Sequence, residues 1–573
     1  MNGRAPQAPV AAFAPLAVPE YRRVWAAAMV SHLGTFLQLT AAPWVMHELT
    51  QSPFLVGLVT TALLLPRLLL ALPSGALADV MDRRTLIMTG QLVSAAPVAA
   101  MAVLAYLDRL TPAWLLLLTL FIGVGTAISM PSFQTLVPDL VPAPMLAQAI
   151  TLNSAAFNVA RAVGPSLGGA LIAVGLTHAA FGANAVSYLA VVGVLLTLPH
   201  RDEPSSARRR LWRSTRTGLR YVRFTRSIRA LLVVTACFSL GAACVQALLP
   251  SFVAGELGLG ATGFGVLYGV FGAGALLGAT TRERGRVRLR AAMLPGAIIG
   301  FGVAGVVLGL VRIPVVSAAA LAAAGLTWVW TLTTLNASVQ TLAPRWVRGR
   351  VVSIYVLTIG LQPIGAFLSG VLGELLGVGI TIAGMTGALV AVGAVAGRAR
   401  LPVLGEFSEP APAPEDAPQT RHAQVVGGSP IVVSTEFQVD PARLSEFLDV
   451  MRELRTHRLR TGATRWSLFR DADRPNFITE MFAVPDWEEH LAQHRRIDAD
   501  SVAVIRRARS FDVRGEPVAR HLAGLDVIDR AAPPIEAQLM TVHAHMHETD
   551  GSVPLPRHGP AAERRAAAGR DNA

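Results

Sequence analysis

Residues 54–84 read FLVGLVTTALLLPRLLLALPSGALADVMDRR, an apolar run that ends in a short acidic and basic loop. A helix needs about 20 mostly apolar residues to cross the hydrocarbon of a bilayer, and this run is long enough. Arg67 lies in its middle, where a charge costs roughly 2.5–3.5 kcal/mol on insertion scales. The stretch therefore predicts a transmembrane helix with a buried charge that needs a wet cavity or a partner.

The composition of the whole chain has the same character. Hydrophobic residues make up 52% of the 573 residues and charged residues 15%, which is typical of a polytopic membrane protein rather than a soluble enzyme. Twelve stretches before residue 400 are long and apolar enough to be spans. The predicted spans cover 24–47, 54–78, 85–107, 112–133, 148–174, 179–198, 230–254, 262–281, 291–311, 314–336, 351–374 and 377–397.

Arginine is unevenly distributed, and lysine is absent. If both termini are cytoplasmic, 25 of the 29 arginines in residues 1–400 fall in cytoplasmic segments, and two, Arg109 and Arg312, fall outside. Arg67 and Arg161 lie inside spans. Short cytoplasmic loops collect arginine in membrane proteins. The pattern therefore predicts a multi-pass protein of the inner (plasma) membrane with both termini cytoplasmic.

Two similar stretches, six spans apart, indicate an internal duplication. FQTLVPD (133–139) ends span 4, and VQTLAPR (339–345) ends span 10. Two six-helix halves, 24–198 and 230–400, are typical of duplicated transporters, which bind substrate near the midplane between the halves. The basic loop 199–229 joins them, so we interpret its arginines as lipid-headgroup contacts and expect no nucleic-acid partner.

Five stretches carry a resemblance to the major facilitator superfamily. PSGALADVMDRR (73–84) resembles its loop motif between spans 2 and 3, and LNSAAFNVARAVGPSLGGAL (152–171) resembles the span-5 Gly-Pro-x-x-Gly-Gly motif of its antiporters. TLNASVQTLAPRWVRGR (334–350), RTGATRWSLFRDAD (460–473) and WEEHLAQHRR (487–496) are similar to the branch that contains the enterobactin exporter and the transmembrane secretion effectors. The resemblance implies the major facilitator fold and proton-driven efflux.

The resemblance also implies a gating loop between spans 2 and 3. Its residues are Gly75, Asp79, Arg83 and Arg84. Asp79 would cap or pair with a helix end of the opposite half, while the arginines hold the loop at the inner face. Val80 stands where a basic residue is common and Asp82 where Gly is common, which predicts weaker gating. A simple positive-inside anchor is the alternative.

The span-5 motif consists of Gly164, Pro165, Gly168 and Gly169. Its glycines allow close backbone approach, and its proline removes a backbone donor and can kink the helix. We expect tight packing here, and the resemblance adds control of leak through an exporter.

Polar side chains inside the spans are the candidates for the substrate path. Arg67 and Arg161, as two guanidiniums in one cavity, would bind a carboxylate or catecholate. The amide candidates are Asn153, Asn158, Asn336, Gln340 and Gln362. His32 is the candidate for proton coupling, because histidine can take a proton near neutral pH. For each residue, hydrogen bonding that only holds helices together is the alternative interpretation.

The composition changes after residue 400. We predict a disordered Pro- and acid-rich linker at 401–429, a ferredoxin-like α+β domain at 430–525 and a disordered tail at 526–573. The predicted order is βαββαβ, and its elements are a strand at 431–439, a helix at 442–460, strands at 466–469 and 476–484, a helix from 486 and a strand near 509–514.

The C-terminal domain resembles the small dimeric sandwiches of the antibiotic-biosynthesis monooxygenase type. This resemblance implies a homodimer through the domain. His490 and His494 lie four residues apart on one helix and are weak candidates for metal ligands, with no third ligand identified.

These patterns predict an all-α membrane protein with twelve transmembrane helices in two six-helix halves, followed by a ferredoxin-like domain. Residues 1–23 form a cytoplasmic N-terminal segment. The predicted function is secondary, proton-coupled efflux of a small anionic or acid-bearing metabolite, siderophore-like or drug-like. The chain has no Walker-type phosphate loop, and we expect no cofactor. The alternatives are a membrane-tethered monooxygenase or haem-handling enzyme that uses the C-terminal domain, and a sensor built on a degenerate transporter.

Overall fold

The computed structural model describes residues 11–78, 81–198, 211–399 and 429–524. The chain divides into two compact units, Met1–Pro410 and Ala411–Ala573. The first is a bundle of long helices, and the second carries a four-stranded sheet. Asp79 and the predicted linker and tail lie outside the described residues, as does part of the basic loop.

Six long helices build the first half of the bundle. They are α1 (Pro19–Thr50), α2 (Pro53–Ala78), α3 (Arg83–Tyr106), α4 (Pro112–Leu140), α5 (Leu146–Ala173) and α6 (Thr177–Leu196). Three of them begin at a proline, whose fixed φ suits the first turn of a helix. The Thr111 side chain caps α4 by accepting from the Trp114 backbone N–H. Gln51 ends α1 in the left-handed region with φ 53°.

A short basic helix, α7 (Leu211–Phe224), precedes the second half. The helices of the second half are α8 (Arg226–Gly255), α9 (Ala261–Leu289), α10 (Met293–Leu310), α11 (Pro314–Leu342), α12 (Arg345–Ile359), α13 (Gln362–Leu376) and α14 (Val378–Arg398). The basic helix α7 lies inside the predicted loop, and its Tyr221 ring meets the Trp346 ring of α12 at 5.4 Å. The predicted span 351–374 is interrupted between α12 and α13, where Pro363 supplies no backbone N–H.

Nine stretches within the described part of the chain are long and apolar enough to cross a membrane. Seven of them fall on single helices, whereas α9 with α10 and α12 with α13 each count as one stretch. α1 and α5 are outside this set, and they carry the polar candidates His32, Asn153, Asn158 and Arg161. The chain is therefore a helical multi-pass membrane protein, and the total of twelve spans stays a prediction.

The two ends of the bundle differ in charge. We call the end that carries Arg83, Arg226 and Arg345, each the first residue of its helix, the arginine-rich end. The arginine-poor end is the one where α1 ends at Thr50 and α2 begins at Pro53. Successive helices of the bundle run in opposite directions between these ends, except that α12 and α13 follow one another along the same path.

The C-terminal unit alternates strands and helices. Its elements are β1 (Ile431–Gln438), α15 (Leu444–Thr461), β2 (Arg465–Arg470), β3 (Phe477–Val484), α16 (Trp487–Arg495), α17 (Ala499–Arg509) and β4 (Val518–Ala523). The strands form one antiparallel sheet in the order β2-β3-β1-β4. Alternate residues of β1 and β3 are buried, as a sheet with helices on one face requires. Phe437, Phe447 and Phe511 lie at the centre of this core.

One predicted element of this unit, the last strand, is wrong, and the helix predicted from 486 begins as expected but is divided in two. The strand expected at 509–514 is instead the end of α17 and the turn that follows, and the last strand is β4 at Val518–Ala523. The apolar Val504, Ile505 and Ala508 recur at helical spacing and face the core, which extends the helix to Arg509. The helix expected from 486 is broken into α16 and α17, because Asp498 caps a new helix through the Ser501 N–H.

Candidate functional site

Arg67 lies half-buried in α2, directly after Pro66. It is 14 residues from the first residue of α2, which places it about 21 Å along the helix at 1.5 Å per residue. Its guanidinium Nε is buried and has no hydrogen-bond partner within the described residues. Arg67 is close enough to Tyr188 of α6 to interact with it electrostatically. A buried N–H without a partner is costly, so a ligand atom here would relieve that cost.

A buried polar cluster surrounds Tyr188. Tyr188 has Thr35 of α1 and Asn184 of α6 as polar neighbours. The Asn184 amide donates to Oε1 of Gln38, which lies in α1. Asn184 is 0% exposed and Gln38 5% exposed. The cluster therefore joins α1 to α6 close to Arg67.

This cluster was not predicted from the sequence. The signal was nevertheless present, because Gln38 and Asn184 are amides in otherwise apolar spans, like the predicted amide candidates. Close approach of α1 makes the cluster possible. A Cβ on Gly34 would lie 2.6 Å from Ser187 Oγ and 2.7 Å from Asn184 Oδ1, so only glycine fits there without a shift.

Arg161 and His32 meet on one phenyl ring. The Arg161 guanidinium carbon lies 4.8 Å from the centroid of the Phe157 ring, within cation–π range. The His32 ring contacts Phe157 edge-on at 5.2 Å. Arg161 also interacts electrostatically with Tyr268 of α9, in the other half. The two candidate arginines thus have different neighbours, Tyr188 for Arg67 and Tyr268 for Arg161.

The amide candidates make local hydrogen bonds. Asn158 Nδ2 donates to the Ser154 carbonyl one turn earlier at 2.9 Å. Gln340 Nε2 donates to Asn336 Oδ1 at 2.7 Å, and both residues are exposed on α11. Asn153 and Gln362 are half-buried, on α5 and in the first turn of α13. Because the hydrogen bonds named here lie within one helix, they do not tie one helix to another.

The span-5 motif faces two different helices. A Cβ on Gly164 would lie 2.5 Å from Phe36 Cβ, and one on Gly168 would lie 3.1 Å from Thr40 Cβ, both on α1. A Cβ on Gly169 would lie 2.5 Å from the Ala261 carbonyl oxygen and 2.8 Å from Gly265 Cα, both on α9. These glycines therefore let α5 touch α1 within its own half and α9 across the interface of the halves.

The gating-loop residues that the structure describes make contacts inside the first half. Arg83 forms a 2.5 Å ion pair with Asp139 of α4. Arg84 Nη1 donates to the Leu198 carbonyl at 2.8 Å, beyond the end of α6. Asp82 caps α3 by accepting from the Thr85 N–H at 2.8 Å. Gly75 lies in α2, and Asp79 is outside the described residues, so its predicted pairing stays a prediction.

Two histidines of the C-terminal unit, His490 and His521, form a close pair. His490 of α16 is 1% exposed, and its Nε2 lies 3.0 Å from Nε2 of His521 in β4. Burial and the neighbouring His521 and His494 lower the pKa of His490 to about 3, so its ring is neutral at physiological pH. In the described ranges, three His, Cys, Asp or Glu side chains do not come together as a metal-binding group. The metal hypothesis for His490 and His494 stays a prediction. His521 was not predicted, because the last strand was expected at 509–514.

Known proteins resemble this chain over most of its membrane part. The multidrug efflux pump Tap of Mycolicibacterium fortuitum is 28% identical over 389 residues, covering 65% of this chain and 93% of the pump. The enterobactin exporter EntS of Citrobacter koseri is 26% identical over 409 residues, covering 70% of this chain and 96% of the exporter.

A mutant of the nucleoside transporter NupG shares the fold, with a TM-score of 0.57 at 13% identity over 67% of this chain and 100% of that one. The model of the transmembrane secretion effector family matches residues 10–527, which is most of the sequence. This chain belongs to the transmembrane secretion effector family of major facilitator transporters.

Proposed function

We propose that this chain is a secondary efflux transporter that exports a small anionic or acid-bearing metabolite across the plasma membrane. Two relatives support the direction of transport, because one is named an efflux pump and the other an exporter. We infer an anionic substrate because the buried Arg67 Nε has no hydrogen-bond partner in the described part of the chain.

The chemistry of Arg67 favours an acid. A guanidinium presents several N–H donors in a fixed plane and binds a carboxylate or catecholate through two parallel hydrogen bonds. Tyr188 is buried beside Arg67, with Asn184 and Thr35 as polar neighbours, so an acid bound here would meet a hydroxyl as well as the guanidinium. Arg161 beside Tyr268 offers a second cation. A siderophore-like or drug-like acid would satisfy these donors.

The proposal assigns proton coupling to His32. His32 and Arg161 contact the same Phe157 ring, so a proton on His32 would place a second cation near Arg161. Like charges at this separation repel, more strongly in a poorly hydrated site than in water. Proton uptake at His32 would therefore change the affinity of Arg161 for an anion. An antiporter needs such a coupling between proton binding and substrate binding.

The proposed topology has twelve spans with the arginine-rich end in the cytoplasm. Arginine accumulates on the cytoplasmic side of multi-pass proteins, and both termini would then be cytoplasmic. α7, which carries Arg220 and Arg223, would lie at the inner lipid headgroups. A reporter fused after residue 400 should behave as cytoplasmic and one inserted near residue 258 as external.

The deciding experiment compares Arg67→Gln with Arg67→Lys. Mass spectrometry of medium and cell extracts, with and without the gene, first identifies the acid that the cells export. Arg67→Gln should reduce its export on the order of tenfold or more, since a hydrogen bond to a charged group is worth about 1.5–3 kcal/mol. Arg67→Lys should keep part of the rate, because it keeps the charge and loses the planar donor pair.

The matched control is Arg312→Gln, which changes an exposed arginine at the arginine-poor end. It should insert and export like the wild type. Normal insertion together with wild-type export by Arg67→Gln would show that Arg67 is structural and that the assignment of an anionic substrate is wrong.

For the C-terminal unit we propose a ferredoxin-like domain that forms a homodimer through the open face of its sheet. Support comes from the strand order β2-β3-β1-β4 and from apolar side chains exposed on the face away from the helices, namely Phe469, Val518 and Leu522. Residues 429–524 should sediment as a dimer, and Leu522→Arg should sediment as a monomer. A stoichiometric cofactor on this fragment would instead favour the enzyme alternative.

A further inference from the structure

The two halves of the bundle are joined at the arginine-poor end. Besides the contact of α5 with α9, α1 meets α8 there, with a ring nitrogen of His47 lying 3.4 Å from the Ser251 hydroxyl. The Trp44 ring of α1 stacks on Phe264 of α9 at 5.5 Å. α1 belongs to the first half, whereas α8 and α9 belong to the second. These contacts close the arginine-poor end of the bundle.

α2 and α13 form another seam between the halves. A Cβ on Gly57 would lie 2.9 Å from Gly370 Cα, so the two backbones nearly touch. Deeper in the bundle, the Thr61 hydroxyl donates to the Pro363 carbonyl at 3.2 Å. The seam therefore extends from the arginine-poor surface towards the middle of the bundle.

At the surface end of this seam, a carboxylate of one half caps a helix of the other. Glu374 Oε2 in α13 accepts hydrogen bonds from the Ser52 hydroxyl at 2.8 Å and the Phe54 N–H at 3.2 Å. Ser52 precedes α2, and its Oγ accepts in turn from the Leu55 N–H at 3.3 Å. The first N–H groups of a helix have no carbonyl partner within it and carry positive partial charge. Glu374, from the opposite half, therefore supplies α2 with a hydrogen-bond acceptor and with a negative charge.

The position of Glu374 in its own helix is unfavourable. It lies in the last turn of α13, where exposed carbonyl oxygens carry negative partial charge and disfavour a carboxylate. The contact with α2 offsets that cost as long as the halves stay together at this end. When they separate, the carboxylate loses its two donors and keeps the unfavourable helix end.

We propose that Glu374 is a latch that stabilises the conformation closed at the arginine-poor end. The inference rests on the proposed function, because a transporter of two halves must open each end in turn. The latch acts through a difference between two states. It contributes in the closed state, in which Glu374 touches Ser52 and Phe54, and is lost in the open state.

Thiol labelling measures how often this end opens. Ser251→Cys places a thiol in the buried contact with His47, in a background in which Cys237 and Cys244 are replaced by alanine. A maleimide added to the purified full-length protein then reacts with this thiol only when α1 and α8 separate at the arginine-poor end. Its rate is proportional to the open fraction when opening is fast and rare.

Removing the latch should speed this labelling. Glu374→Ala should raise the rate about fivefold, the typical effect of deleting a helix cap. Glu374→Gln, which keeps the shape and loses the charge, should raise it about two- to threefold. Ser52→Ala removes one donor of the same contact and should act in the same direction, which provides a second test if a Glu374 variant folds poorly.

Glu256→Ala is the matched control. It also removes a carboxylate at the arginine-poor end, but the partner of Glu256 is Arg312 of the same half, so labelling should stay at the parent rate. Parent-like labelling in Glu374→Ala and Ser52→Ala would overturn the latch, as would an equal rise in Glu256→Ala. The assay needs no substrate, so a latch effect alongside wild-type export by Arg67→Gln would keep the latch and refute only the substrate assignment.

Discussion

The seam between α5 and α9 predicts that Gly169→Ala destabilises the bundle. The new Cβ would lie 2.5 Å from the Ala261 carbonyl oxygen, 2.8 Å from Gly265 Cα and 3.0 Å from Gly265 N. Ordinary van der Waals contact for a Cβ begins at 3.4 Å. All three obstructing atoms are backbone atoms, so no flexible side chain can move away. The two helices must separate, and they belong to different halves.

The expected cost follows from two opposing effects. Forcing an extra methyl into a packed interface costs about 1–3 kcal/mol. Replacing glycine by alanine inside a helix stabilises the helix by up to about 1 kcal/mol, because alanine has the higher helix propensity. The net effect of Gly169→Ala should thus be a loss on the order of 1–2 kcal/mol. Gly193→Ala isolates the propensity effect, since no atom lies within 4 Å of its new Cβ.

Thermal unfolding of the purified protein in detergent micelles provides the measurement. Gly169→Ala should unfold a few degrees below the wild type and Gly193→Ala at or above it. Gly265→Ala obstructs the same seam from the other helix, with its Cβ 2.5 Å from the Pro165 carbonyl oxygen, and should resemble Gly169→Ala. If Gly169→Ala unfolds at the same temperature as Gly193→Ala, the close approach of α5 and α9 is wrong.

Two further predictions concern the C-terminal unit of the full-length chain, with urea unfolding followed by pulse proteolysis. Glu480 is fully buried and accepts hydrogen bonds from Arg458 at 3.2 Å and Trp466 at 2.9 Å, so Glu480→Gln should lower the free energy of unfolding by about 3 kcal/mol or more. Glu446→Gln, in the exposed pair with Arg443, should lower it by less than about 1 kcal/mol. Equal losses of stability in the two variants would contradict the buried pair. Burial and the neighbouring histidines lower the pKa of His490 from 6.5 to about 3, so the unfolded state binds the extra proton and stability should fall as pH drops from about 6.5 towards 3. His490→Phe should flatten this slope, and an unchanged slope would assign the protons to other groups.

The local patterns of the sequence were enough to find the helices and the family. Apolar length predicted a helix at each expected span, and the loop and span-5 motifs pointed to the major facilitator superfamily, which the family match confirms. The glycine spacing in span 5 predicted close packing, because a residue without a Cβ lets a neighbouring helix approach closely on whichever side it faces. These properties depend on residues a few positions apart, so they can be read along the chain.

Contacts between residues far apart in the sequence could not be predicted from the sequence. The bond between Gln38 and Asn184, the Nε2 contact of His490 with His521 and the cap that Glu374 places on α2 each join residues at least 31 positions apart. Which side chains meet depends on the rotation and depth of each helix. Those are set by the packing of all its neighbours, which the period of one helix does not encode. The sequence alone determined which long apolar segments are helices and that arginine accumulates between them at one end. Only the tertiary structure decided which polar groups find partners and that Arg67 Nε, among the described residues, does not.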